Sequence, residues 1–305
     1  MNYYQKSFKI SITIIFLVTF FMLFSSSIKA NNVDLKIEKY TGHTSYIIQG
    51  DNINGEWKSL LEFPLNTVII SGKYTYKVEK NNYVDNLSFS YKTNIIDDSG
   101  TFKDSDWVYG SDEKMIYAET DSELNSNEFD ISIETFDYKI NNWFNYSFIG
   151  GYNQQNFNFV AGDGWQESYL TNPPERYEIE GDAIEYEVNY KIPYVGLKIF
   201  KKQNDFKFSN DLILAPIIFV SDYDYHILRD KTAETKARGY AFFYKANIKY
   251  NINDNFEIKG NLGFEKIYSE GYQKQTFSDG SIAENIDTKV FSKKYYLGLS
   301  MIYKF

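Results

Sequence analysis

The chain has 305 residues, no cysteine and a formal net charge of −9. Without cysteine it has neither disulfides nor a thiolate nucleophile, and its acidic balance argues against nucleic acid as a partner. Aromatic residues are the outlier: they form 19% of the chain, with 28 Tyr and 25 Phe, at a mean hydropathy of −0.45.

Residues 1–30 have the make-up of a secretory signal peptide. Lys6 and Lys9 give a basic start, Ile10 to Phe24 an apolar run, and Ser25 to Ala30 a small-residue exit. The leader holds three lysines and no acid, so its removal takes the net charge from −9 to −12. No later stretch has the ~18 consecutive apolar residues that a membrane helix needs. Exported, Tyr-rich and free of helical spans, residues 31–305 match the composition of one outer-membrane β-barrel domain.

Period-2 alternation runs through that domain. Roughly ten strands are expected near 33–49, 56–78, 84–96, 128–140, 144–160, 183–201, 206–224, 238–250, 256–270 and 289–305. The last shows the pattern best: Tyr295, Leu297, Leu299, Met301, Tyr303 and Phe305 share one face, with Lys294, Tyr296, Gly298, Ser300, Ile302 and Lys304 on the other. An apolar outer face with aromatic ends and a charged inner face suits a barrel with a polar interior. Short connections such as Gln203-Asn204-Asp205 alternate with long ones near 97–127, 161–182, 225–237 and 271–288. Short periplasmic turns and long external loops are expected on that basis. Several strands exceed the ~9–11 residues that cross a bilayer, so the barrel should rise above the outer surface and carry a cleft there. Pro193 and Pro216 fall inside strands and predict bulges or bends.

Two acidic constellations lie at the outer strand ends. Asp222, Asp224 and His226 stand two residues apart after the apolar run Leu212–Val220, so in a strand they point to one side. A carboxylate beside a histidine fixes its tautomer and holds it ready as a base. Asp104 and Asp106, also two apart, lie in the stretch after the third strand, placed by the count in an external loop. The topology puts both groups in one extracellular mouth.

The chain resembles the omptin family of outer-membrane proteases. The matching pieces, in order, are Asp104-Ser105-Asp106-Trp107, Asn127-Glu128-Phe129-Asp130, Gly151-Tyr152, Pro193 to Leu197, Ser221 to His226, Leu228-Arg229-Asp230 and the closing Tyr303-Lys304-Phe305. They span essentially all of the domain. The resemblance implies a ten-stranded antiparallel transmembrane β-barrel with long extracellular loops. It implies an endopeptidase acting on peptides or proteins, without metal or cofactor. A water between the two pairs attacks the peptide carbonyl: His226 takes its proton, Asp224 orients His226, and Asp104 with Asp106 positions the water and stabilises the oxyanion, one of the two protonated. Asp222 and Tyr46 align with the two acids that bind basic side chains in such proteins; tyrosine supplies no charge, which weakens the expectation of cleavage between basic residues. Asn156 and Asn189 stand where the family has lipopolysaccharide-binding arginines, while Tyr152 matches. That departure speaks against lipopolysaccharide dependence through those groups.

Other readings weigh against this one. The Asp-x-Asp-x-His run also suits a solvated strand tip. Asp104-Ser105-Asp106 begins like a calcium loop, but Val108 supplies no side-chain oxygen and the closing Glu is missing. His43 has no carboxylate neighbour in sequence and reads as a structural or cleft-wall residue. A barrel of this type serves equally as an adhesin or structural surface protein, since function lives in the site. A small pore requires an unfilled lumen, which long interior Lys, Glu and Tyr side chains argue against. No Gly-x-Ser-x-Gly elbow, His-Glu-x-x-His helix or phosphate loop is present.

Overall fold

The computed structural model describes residues 32–52, 55–78, 83–107, 113–141 and 143–305. The expected signal peptide lies outside the described residues. Thirteen antiparallel strands are described: β1 (Asn32–Asn52), β2 (Gly55–Pro64), β3 (Val68–Lys77), β4 (Val84–Asn94), β5 (Asp98–Trp107), β6 (Lys114–Thr135), β7 (Tyr138–Lys139), β8 (Asn145–Ser168), β9 (Glu175–Gln203), β10 (Phe206–His226), β11 (Lys231–Asn251), β12 (Phe256–Thr276) and β13 (Ile282–Lys304).

The sheet closes on itself where β1 pairs with β13, from Asn32↔Lys304 to Gln49↔Asp287. Two strands change partner part-way up. The lower part of β1 pairs with β3 and its upper part with β2. The lower part of β6 pairs with β4 and its upper part with β5. β3 pairs with β4 below, and β2 with β5 above. Either ring therefore passes through ten strands, although the described segments number thirteen. The change of partner on β1 falls at Gly42, where φ is +145° and a Cβ would lie 2.0 Å from the Lys293 carbonyl oxygen. Only glycine fits there. Opposite it, Pro64 ends β2, and Leu65 N–H donates to the Gly42 carbonyl.

The strands run higher than their apolar pattern suggested. The stretches expected as long loops are largely continued ladder: β5 occupies 98–107, β8 reaches 168, and β10 and β11 are separated by a 3-10 turn (Ile227–Arg229) and one further residue. Asp104 and Asp106 thus sit on a strand, not in a loop. The two interior prolines meet one ladder break. Between β9 and β10 the pairing passes from Val195↔Leu214 to Lys191↔Phe219, and both Pro193 and Pro216 lie within that gap. Neither ring has an N–H to donate, so one irregularity accommodates both.

The outward face carries a belt of exposed apolar side chains, including Leu35, Ile37, Phe148, Val195, Leu212, Leu214, Leu262, Leu297 and Leu299. The enclosed face at the same height is ionic. Lys294 meets Glu128 at 2.9 Å and Glu265 at 3.3 Å, Lys92 meets Glu128 at 2.9 Å, and Lys259 pairs with Asp34. Water outside would invert this arrangement; a bilayer explains it. Above the belt the lumen is plugged by stacked rings, with Phe63 4.2 Å from Tyr186 and 5.1 Å from Phe159. The site rests on this plug.

Candidate active site

The upper ring holds the two acidic groups on strands four ladder steps apart. On β5, Asp104 opposes Leu61 of β2, which in turn opposes Tyr46 of β1, so Asp104 and Tyr46 face inward side by side. On β10, the alternation that buries Val220 also turns Asp222, Asp224 and His226 inward. All lie above the apolar belt. A cleft of about 230 Å³ opens between the strands; Asp104, Asp106, His226 and Tyr46 line it.

Asp224 is fully buried behind His226. Its Oδ2 lies 2.9 Å from His226 Nε2. The same oxygen accepts a hydrogen bond from the Tyr46 hydroxyl, which reaches it across the lumen. With Nε2 set against this carboxylate, Nδ1 is the imidazole nitrogen left to accept a proton.

Asp104 is pushed up to about 8. Burial is the main cause and the neighbouring Asp106 adds to it; Arg229 and Lys231 pull the other way. Burial raises the Tyr46 hydroxyl well above its usual value, and Asp224 beside it acts in the same direction. Lys231, the register partner of His226, is lowered by burial against the opposing pull of Asp224.

The structure brings Asp104, Asp106, His226 and Tyr46 into one cleft, with Asp224 directly behind. Asp222 is placed differently. It is 6% exposed, lies one step below Asp224 and does not line the cleft. Tyr186 contacts its Oδ2 at 3.4 Å. Burial pushes Asp222 up to about 7, against a hydrogen bond from Thr235. His43 stands apart, edge-on to Phe291 at 6.3 Å. Trp107 forms cleft wall, with the Lys58 ammonium 4.5 Å from its ring centre. Among the described residues no group of three or more His, Asp or Glu is arranged to hold a metal ion.

The model of the Omptin family matches residues 19–302. This chain belongs to the Omptin family. Protease 7 of Escherichia coli (strain K12) is 24% identical to this omptin over 280 residues, 86% of the chain and 84% of the relative. The plasminogen activator of Yersinia pestis is 21% identical over 226 residues, 70% of each. In fold, this omptin is similar to the crystal structure of the outer membrane protease OmpT from Escherichia coli. The TM-score is 0.74 at 16% identity, over 92% of this chain and 98% of that one.

Asn156 and Asn189 are register partners on β8 and β9. Two of this omptin's three arginines are elsewhere on rings: Arg176 is 4.0 Å from the Trp165 ring centre and Arg238 5.6 Å from that of Phe219. The third, Arg229, lines the cleft beside Lys231. Sequence reasoning did not assign Arg229 and Lys231 to the site, nor Tyr46 to Asp224. The available signal was register: a strand returning after a tight turn puts Lys231 opposite His226.

Proposed function

We propose that this omptin is an outer-membrane endopeptidase that activates water with an Asp-His dyad facing an aspartate pair. Its two named relatives are a protease and a plasminogen activator, which supports peptide or protein substrates. The observation that carries the mechanism is the 2.9 Å contact between His226 Nε2 and buried Asp224, across the cleft from Asp104 and Asp106.

A water held between the two groups attacks the carbonyl carbon of the scissile bond. Its proton passes to His226 Nδ1 as the C–O bond forms. Asp224, 2.9 Å from Nε2, stabilises the resulting imidazolium. Asp104 carries a proton near neutral pH, so it donates to the oxyanion while Asp106 holds the water. The proton on His226 then goes to the amide nitrogen, and the C–N bond breaks. No covalent intermediate forms.

The test is peptide cleavage by the refolded barrel and its His226→Ala variant, with folding checked by β-sheet circular dichroism. Loss of a general base lowers the rate by about 10²–10⁴-fold. Cleavage undiminished in a folded variant would sink the mechanism. A folded wild-type barrel that cuts no peptide would return the chain to an adhesive or structural role.

A further inference from the structure

The His226 side of the cleft is cationic, although the chain as a whole is at −9. Arg229 closes the 3-10 turn that follows β10, and Lys231 opens β11 directly opposite His226. Both line the cleft. Arg229 is exposed and Lys231 half-buried. Among the described residues neither has a carboxylate within 4 Å.

Among the described residues the carboxylates lining the cleft are Asp104 and Asp106, both committed to the reacting centre in the mechanism above. Asp224 is covered by His226, and Asp222 lies beneath the cleft with Tyr186 and Thr235 as partners. Tyr46 brings a hydroxyl that is itself engaged by Asp224. The remaining walls include Ile48, Leu61 and Met115. A basic side chain entering here meets Arg229 and Lys231, with Lys58 on the Trp107 wall as a third cation, and among the described residues no acid outside the reacting centre. An acidic one meets these cations, none of which has a carboxylate within 4 Å among the described residues, and half-buried Lys231 is the one least screened by water.

We infer that this cleft selects peptides with an acidic side chain beside the scissile bond, its carboxylate seated between Arg229 and Lys231. The inference rests on the peptidase reading of the same site. The two cations set specificity; the chemistry stays with the Asp-His dyad and the aspartate pair.

The experiment compares matched fluorogenic peptides that carry Glu, Gln or Lys on either side of the cut bond. For the refolded wild-type barrel kcat/KM is expected to fall in the order Glu, Gln, Lys. The span should be about tenfold or more at low salt and narrow as salt screens the charges. Arg229→Glu, on an exposed turn, should shrink or invert that order in a variant whose β-sheet circular dichroism matches the wild type. Binding of the Glu and Lys peptides to the His226→Ala barrel, followed by fluorescence anisotropy, gives the same comparison without turnover. Equal or faster cutting of the Lys peptide overturns this inference and leaves the peptidase reading intact. So does an order unchanged by Arg229→Glu. If no peptide is cut by a folded wild-type barrel, the peptidase reading falls and this inference falls with it.

Discussion

Tyr46 on β1 and Asp224 on β10 are joined across the barrel by a hydrogen bond from the phenol to Oδ2, the same oxygen that lies 2.9 Å from His226 Nε2. The tyrosine ring is held independently, 5.4 Å from Tyr186 and 6.5 Å from Phe63. The aromatic plug therefore sets where Asp224 lies, and Asp224 sets where His226 points. Tyr46→Phe keeps the ring and removes the donor. A hydrogen bond to a charged group contributes about 1.5–3 kcal/mol, so kcat should fall roughly 10- to 100-fold, with KM little changed. Steady-state kinetics on one peptide decide this. A higher KM at unchanged kcat would mean that the hydroxyl binds substrate instead.

The alkaline limb of activity follows from Asp104. Its carboxyl is pushed up to about 8, chiefly by burial and then by Asp106, so the folded state holds this proton more tightly than the unfolded chain. The sign is fixed: its stabilising contribution is full below the unfolded value of ~4 and is lost as pH rises through about 8. The rate should also drop above that point, because the group donating to the oxyanion becomes an anion. Asp104→Asn should unfold with a midpoint less sensitive to pH between 6 and 9 than the wild type (roughly, since both limbs are broad). A pH–kcat/KM profile flat to pH 10 would contradict the assignment.

Asp222 lies on β10 one inward step below Asp224 and does not line the cleft. It is buried beneath the site, with Tyr186 and Thr235 as partners and its carboxyl pushed up to about 7. Asp222→Asn should leave KM for peptides within about twofold, because no lost contact faces the substrate. Unfolding above pH 7 should become harder, since the wild-type carboxyl ionises there in a site that disfavours charge. A KM raised tenfold or more would restore Asp222 to the substrate pocket.

The membrane-level half of the barrel was legible because lipid outside and ions inside impose period 2, as Tyr295 to Phe305 shows. The upper half was not. In β6 the buried positions include Thr120 and Ser122, flanked by Asp121 and Glu123, so both faces read polar and the stretch resembles a loop. Asp104 and Asp106 stand out by spacing, but on β5 the buried positions include Ser99 and Ser105, so that strand too reads as a loop. The prolines announced their shared ladder break. The Tyr46–Asp224 bond spans 178 residues; neither spacing nor composition encodes a contact between strands on different sides of a ring.

Lys294 tests whether the lumen is held by its ions. It is 1% exposed, with Glu128 at 2.9 Å and Glu265 at 3.3 Å. Glu128 keeps a second cation, Lys92, when Lys294 is removed. Glu265 has no other ion-pair partner within 4 Å among the described residues. Lys294→Met should therefore cost about 3–5 kcal/mol by stranding a buried carboxylate. Adding Glu265→Leu should restore most of it, because an apolar pair of similar volume replaces an ionic one at little net loss. Urea unfolding in detergent micelles, followed by tryptophan fluorescence, measures both. Peptide cleavage should survive in each folded variant, since Lys294 lies at the height of the apolar belt and the reacting groups stand above it. A Lys294→Met loss below about 1 kcal/mol would mean that solvent or side-chain rearrangement neutralises Glu265, and that the buried network sets the barrel's shape without stabilising it.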